Sequence, residues 1–417
     1  MITQYLESIL KKLEAGQDTT RVVLVFPNGT QVRSGSAPGR ATITIRIKTW
    51  RAMVRYFVLR ADGFCEGFAR GEIDIEGDDL PILRLSKLNE HLRSYIEHRP
   101  MRNFARWLVQ QYFYYFLGNN SDRQQTKENA KFHYEKPAEF FHKVLGDTYA
   151  YTEGYYITGT EDLDTAQRQK FEYIARKLRL EPGMKVVEVG SGWGYMSCYM
   201  AKEYGVSVVN YGIVPEQNKR MREMIKEWGV EDKVTIVDKE HRELEFEPNT
   251  YDRYVSIGVY EHAGYDFWED WIRSISVGLK EGGIGFLSFS GFARESVSMP
   301  FMQKNVWPGS SLGPLPPTVE WLDRYRLHVI DIENLWWHYR KTMEEWARNF
   351  SKNMKEIQAL DTEQYDERFM RTWRLWFEGC PAIFDEYHWN AQAWHITFMK
   401  GKHQENYPLT RDFLYKK

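Results

Sequence analysis

Apolar residues in the second half of the chain come in short runs separated by helix-patterned stretches. Lys185–Val189, Val206–Tyr211, Val234–Val237, Arg253–Ile257 and Ile284–Ser288 read as strands, and segments such as Pro215–Trp228 between them read as helices. This βαβ alternation predicts an α/β fold, a parallel sheet with helices on both faces and ligands at the carboxyl ends of its strands. Arg326–Ile330 and His395–Lys400 are candidates to complete the sheet. Between them, Trp336 to Tyr387 reads as a helical, tryptophan-rich insertion.

The first half is patterned differently. Arg21 to Phe26 and Thr42 to Lys48 alternate as strands do, with a turn at Pro27-Asn-Gly29. Trp50 to Leu59 and Glu72 to Ile75 read as further strand or mixed elements, while Ile82 to His98 and Met101 to Leu117 have helical spacing. The polar stretch Asn119 to Ala130 is the best linker. The expected organisation is an α+β N-terminal domain at 1–120, a linker at 121–132 and a larger α/β domain at 133–417.

Composition narrows the classes. A chain of 417 residues holds two or three domains, and a net charge of −2 gives no basic field to argue for nucleic acid. Cys65, Cys198 and Cys380 are too far apart for a disulfide framework or a zinc site, which favours a reducing cytoplasm and no metal. The start of the chain lacks a signal-peptide pattern, and no apolar stretch reaches the ~20 residues of a membrane span. Aromatics make up 15% of the chain, much of it beyond Phe267, which suits a large apolar cavity or an aromatic core.

The strand Lys185–Val189 runs into Gly190-Ser-Gly-Trp-Gly194, followed by a helical stretch from Tyr195. Glycines there let a ligand approach the backbone, and the helix start offers free N–H groups. A dinucleotide site wants G-x-G-x-x-G and an acidic residue about 20 positions on. Here the third glycine comes one position early and Glu188 lies inside the strand, the E-x-G-x-G-x-G form usual for S-adenosylmethionine.

Several further segments carry a resemblance. His133-Tyr134, Tyr151-Thr152, Pro215-Glu-Gln217, Ser256-Ile-Gly-Val-Tyr-Glu-His262, Trp307-Pro-Gly309 and His338-Tyr-Arg-Lys-Thr342 occur with the glycine loop in a specific order. In this the chain resembles the cyclopropane fatty acid synthases and mycolic acid methyltransferases. Gly71-Glu-Ile-Asp-Ile-Glu-Gly77 is similar to part of their accessory domain. The resemblance implies a class I, Rossmann-like methyltransferase domain and a lipid-binding N-terminal domain. It implies S-adenosylmethionine as cofactor, with Gly190 and Gly192 under its methionine portion and Tyr151 and Thr152 closing over it. Gln217 takes the place of a ribose contact, and Glu240 and His241 fall where adenine is held; Ile213 departs from the common threonine.

The implied reaction begins when a cis double bond attacks the sulfonium methyl. A proton must then leave the methylated cation, which calls for an aromatic, water-poor cavity and one placed base. In the family that base is bicarbonate, held by a cysteine backbone, a glutamate, a histidine, a backbone group two residues further on, and a tyrosine. The glutamate and tyrosine match Glu261 and Tyr339, whereas the other three positions are Glu153, Ser288 and Ser290. The expectation is that the Glu153 carboxylate replaces bicarbonate, with hydrogen bonds from Ser288, Ser290 and Tyr339. One carboxyl of the Glu153–Glu261 pair should have a raised pKa.

The implied partners are unsaturated phospholipid acyl chains at the inner face of the membrane, with a homodimer as one possible assembly. Arg33, Arg40, Arg46, Lys48, Arg51, Arg55 and Arg60 form either a solvated face or a surface for anionic headgroups. Two rival readings are a small-molecule methyltransferase of the coclaurine type and a non-catalytic lipid-binding protein. The accessory domain argues against the first, and the intact glycine loop, Gln217, Glu261 and Tyr339 against the second.

Overall fold

The computed structural model describes residues 21–34, 42–86, 123–292, 299–384, 391–401 and 407–415. The chain divides into two compact units. One comprises Met1–Phe113, Met299–Val306 and Met343–Asn390; the other comprises Tyr114–Ser298, Trp307–Thr342 and Ala391–Lys417.

The first unit has a four-stranded sheet of order β2-β1-β3-β4, with β1 Arg21–Val25, β2 Gln31–Arg33, β3 Thr42–Ile47 and β4 Ile73–Gly77. Val22, Val32, Ile43, Ile45, Ile73 and Ile75 form its buried face. The strand or mixed reading of Trp50 to Leu59 is corrected, because Trp50–Ala69 is helical, kinked at Arg60 (φ +55°) and capped by the Thr49 hydroxyl accepting from the Ala52 N–H at 3.2 Å. Its inner face carries Ala52 and Met53, but Trp50, Val54 and Val58 are exposed one turn apart. Apolar residues on both sides hide the helical period.

The tryptophan-rich segment also departs from expectation, since from Met343 on it groups with this unit. In the helix Glu367–Gly379, Leu375 packs into the same core as the sheet, and Arg371 reaches the Phe68 carbonyl at 2.5 Å and Asp74 at 2.9 Å. A single boundary at 121–132 is therefore not what separates the units. Nor is that segment a loose linker. Arg123–Tyr134 is a helix whose Thr126, Asn129 and Ala130 are buried. Residues 81–86 are helical; the rest of the two helices expected at 82–98 and 101–117 lies outside the described residues.

The second unit is built on a sheet of order β11-β12-β9-β8-β5-β6-β7, with two-residue β10, Gly313–Pro314, beside β9. The strands are β5 Lys185–Val189, β6 Ser207–Tyr211, β7 Val234–Val237, β8 Tyr251–Ile257, β9 Leu279–Phe292, β11 Leu327–Asn334 and β12 Gln392–Lys400. Strands β5 to β9 pair in parallel, and β12 lies antiparallel between β9 and β11. Alternate residues feed two cores, Val186, Val208, Val255 and Phe286 on one face and Val187, Val189, Tyr254 and Leu287 on the other. The chain winds outward through β6 and β7, then returns to β8 on the other side of β5. That reversal opens a crevice at the carboxyl ends of the strands.

Candidate active site

At the end of β5 the glycines do different things. Gly190 (φ +74°) sits so close to Val259 that a Cβ would come within 2.6 Å of its side chain. Gly192 (φ +59°) has nothing within 4 Å of its Cβ position. The first permits close packing against the loop after β8. The second leaves open space at the head of the helix Tyr195–Tyr204, as a ligand passing over the turn requires.

That space belongs to one cleft of about 1150 Å³, counting the solvent at its mouth, and Tyr151, Thr152, Gly190, Gly192, Gln217, Glu240 and His241 all line it. His241 stacks on Trp271 with ring centroids 3.6 Å apart, so the wall there is an aromatic pair. The Glu240 carboxylate is held by Arg242 at 2.5 and 2.7 Å. Glu188, buried below the turn, accepts from the Ser197 hydroxyl, and burial pushes its carboxyl up to about 7. Lys170 is buried beside it and donates to the Thr152 hydroxyl at 2.7 Å; burial brings its ammonium down to about 8, opposed by Glu153 and Glu188.

Aromatic rings close the approach. His133 lies between Tyr151, at 5.6 Å, and Trp307, at 5.5 Å, both stacked. Trp193 packs on Phe141 at 4.6 Å and on Tyr134 at 6.3 Å. His262 receives the Trp307 indole N–H on Nε2 at 3.1 Å, and burial lowers its pKa to about 4, so it is neutral at ordinary pH.

Behind Thr152 lies a second cluster, whose members Glu153, Glu261, Ser288, Ser290, Tyr339 and His395 do not line the open cleft. Glu153 is 2% exposed, and its Oε1 accepts from the Ser288 hydroxyl at 3.0 Å and lies 2.6 Å from His395 Nε2. Glu261, also 2% exposed, accepts the Ser290 backbone N–H on Oε1 at 2.5 Å; its Oε2 finds no hydrogen-bond partner among the described residues. Ser290 thus gives its N–H to Glu261 rather than its hydroxyl to Glu153. The Tyr339 phenol is buried against this pair, and burial, then the charges of Glu153 and Glu261, drive its pKa well up.

The two carboxyls titrate in opposite directions. Burial pushes both up, but the His395 hydrogen bond and the charge of Lys170 bring Glu153 below the usual range. Glu261 has no such partner, and burial with the Glu153 charge beside it raises it to about 7. The raised member is therefore Glu261, and Glu153 is the ionised one.

The segment carrying Glu153 is clamped by Trp336–Leu360, the helix that bears the His338-Tyr-Arg-Lys-Thr342 motif. Gly154 N–H donates to Thr342 Oγ1 at 2.8 Å and Tyr156 N–H to His338 Nδ1 at 3.0 Å. Tyr155 is sandwiched between Tyr173 and His338 at 4.2 and 5.0 Å. Lys170, Trp271 and His395 are thus parts of the site that sequence reasoning missed, while His338 and Thr342, read only as part of a motif, gain their roles from these contacts.

The family model for mycolic acid cyclopropane synthetase matches residues 121–394 of this chain. The chain belongs to this family. A cyclopropane-fatty-acyl-phospholipid synthase of Escherichia coli is 30% identical over 284 residues, 66% of this chain and 70% of that protein. A probable fatty acid methyltransferase of Pseudomonas putida is 26% identical over 86% of this chain and 87% of its own. In fold, the chain is similar to a coclaurine N-methyltransferase, with TM-score 0.62 and 16% identity over 81% of this chain and 99% of that one. The family member described here is an S-adenosylmethionine-dependent methyltransferase with a class I α/β fold.

Proposed function

We propose that this enzyme methylates the cis double bond of unsaturated phospholipid acyl chains at the inner membrane surface, and that Glu153 takes the place of bicarbonate as the base. Bound S-adenosylmethionine supplies the electrophilic methyl. The cleft residues Tyr151, Thr152, Gly190, Gly192, Gln217, Glu240 and His241 bind and orient the cofactor, and the aromatic wall of His133, Tyr134, Tyr151 and Trp307 tolerates developing positive charge and keeps water out. Glu153 then accepts a proton from the methylated chain. The C–H electron pair either closes a three-membered ring or forms a new double bond beside the branch.

The observation that carries this reading is a buried carboxylate, Glu153, hydrogen-bonded by Ser288 and His395 where the family resemblance puts the bicarbonate cysteine. A base ionised before substrate arrives needs no exchangeable anion. The neighbouring Glu261, raised to about 7, retains a proton through much of the neutral range and spares Glu153 a second full negative charge. Lipid as substrate is supported by the relatives, a probable fatty acid methyltransferase and a cyclopropane-fatty-acyl-phospholipid synthase, and by the exposed Trp50, Val54 and Val58 on the first unit. The basic stretch supports headgroup binding less well, because Lys48 pairs with Asp74 at 2.7 Å and Arg55 with Glu72 at 2.5 Å.

Expression in cells rich in cis-monounsaturated phospholipid, followed by fatty-acid mass spectrometry, tests the proposal. A gain of one methylene per modified chain is expected, and double-bond derivatisation then separates ring from branch. An unchanged lipid profile alongside methylation of small amines would favour the coclaurine-type reading.

A further inference from the structure

Strand β12 runs antiparallel to β9, and the register sets His395 directly opposite Ser288. Residues paired this way project from the same face of a sheet with their Cβ atoms about 5 Å apart. Both side chains meet the same atom, Oε1 of Glu153, at 2.6 Å from His395 Nε2 and 3.0 Å from Ser288 Oγ. The imidazole is fully buried, with the Phe286 ring edge-on at 4.8 Å, and its Nδ1 has no hydrogen-bond partner among the described residues. Glu153, Lys177 of the helix Leu163–Leu178 and Glu333 of β11 act on it by charge, and the His338 imidazole is the further titratable group that feels its charge.

With burial holding the imidazole neutral, one ring nitrogen carries the hydrogen. A hydrogen on Nε2 gives a charge-assisted bond to the carboxylate. A hydrogen on Nδ1 would set the Nε2 lone pair against a carboxylate oxygen and strand a buried donor. The first arrangement is the one the geometry favours.

We infer that His395 is a positioning residue, which keeps Glu153 ionised and turned so that Oε2 is the oxygen offered to the substrate proton. The inference rests on the reading of Glu153 as the base. Without His395, the Ser288 hydroxyl, a backbone N–H and the charge of Lys170 would be left to oppose the cost of an ion buried to this degree. Glu153 would then take a proton from solvent before the methylated chain could give one up.

Three variants of the full chain, His395→Ala, His395→Gln and Glu153→Gln, are assayed for turnover, S-adenosylmethionine KM and pH–rate profile. The carboxylate infrared band that Glu153→Gln abolishes is titrated in the others. In His395→Ala, kcat near the foot of the acid limb should fall about tenfold for each unit by which the limb moves up. The KM should stay within about twofold, and the infrared band should titrate at the same higher pH. His395→Gln, whose amide retains a donor at similar reach, should restore both. His395→Leu fills the space without a donor and replaces the alanine variant if that one does not fold.

An unshifted acid limb and infrared band in the alanine or leucine variant, with Glu153→Gln inactive, would overturn the role of His395 alone. Full activity in Glu153→Gln would instead overturn the reading of Glu153 on which it rests. Lost turnover with an unmoved infrared band would assign His395 a purely structural role, and also overturn the inference.

Discussion

Ser288 and His395 stand opposite one another on neighbouring strands, and one oxygen of Glu153 lies within hydrogen-bond reach of both. The resemblance to cyclopropane synthases implies a histidine at the position of Ser288 and a cysteine at that of Glu153. Both changes become intelligible together in the fold. The carboxylate enters the pocket from the Tyr151–Tyr155 segment, a serine replaces the histidine on β9, and an imidazole approaches from β12 instead.

Glu153→Gln is therefore expected to lower turnover by roughly 10²- to 10⁴-fold, the usual worth of a placed general base. Cofactor affinity should hold, because Glu153 lies behind the cleft rather than in its lining. Calorimetric titration with S-adenosylmethionine and turnover in bicarbonate-depleted buffer separate the two effects. Wild-type activity that depends on added bicarbonate would sink the proposal.

Glu261 gives a pH signature of the opposite sign to that of Glu153. Its folded-state pKa is raised from 4.5 to about 7, so the native state holds its proton more tightly than the unfolded chain does. Its contribution to stability is complete below about pH 4.5 and is lost as pH rises through about 7, a change on the order of 1–3 kcal/mol. Glu153 is lowered, so its contribution is present above the usual carboxylate range and is lost in acid. Thermal melts of wild type and Glu261→Gln between pH 4.5 and 7.5 check this, the variant gaining relative to wild type as pH rises. Parallel melting curves would rule it out.

Much of this architecture could be read from periodicity, because the central strands are apolar on both faces and bounded by helices. Lys185–Val189, Val234–Val237 and the helix Pro215–Trp228 have the expected limits. What escaped reading depended on pairings distant in sequence. His395 is an isolated histidine in an apolar strand, 242 positions from Glu153, and only the β9–β12 register reveals its role. Trp50–Ala69 was misleading for another reason, its exposed face being as apolar as its buried one. Lys170 sits in an ordinary amphipathic helix, and nothing local marks its ammonium as buried.

The glycine turn offers a paired test of packing against binding. Alanine at either Gly190 or Gly192 adopts a positive φ at about 1–2 kcal/mol. Gly190→Ala also drives a methyl into Val259, so it should lower the melting temperature more. Gly192→Ala puts its methyl into open cleft, so it should weaken S-adenosylmethionine binding at least about tenfold, about 1.4 kcal/mol. Melting curves and binding titrations on both variants separate these roles. Equal effects on stability and affinity in the two would mean that the turn acts only as a unit.

Thr342 connects the motif helix to the segment carrying Glu153 without touching the cleft. Its Oγ1 accepts from the Gly154 N–H at 2.8 Å and donates to the His338 carbonyl at 2.8 Å, fixing the backbone immediately after Glu153. Thr342→Val keeps the volume but leaves a buried N–H without its acceptor, at a cost of about 1–3 kcal/mol. The Glu153 segment should then shift, and since reaction rate is sensitive to small misplacements of a base, kcat should fall by about tenfold or more. The S-adenosylmethionine KM should change little, because the cofactor loop lies on β5 and the Thr152 hydroxyl is held independently by Lys170. Thr342→Ser retains the hydroxyl and should recover most of the turnover. If serine lowers kcat while valine does not, the methyl group rather than the hydrogen bond holds the segment, and the link from the motif helix to the Glu153 segment is steric.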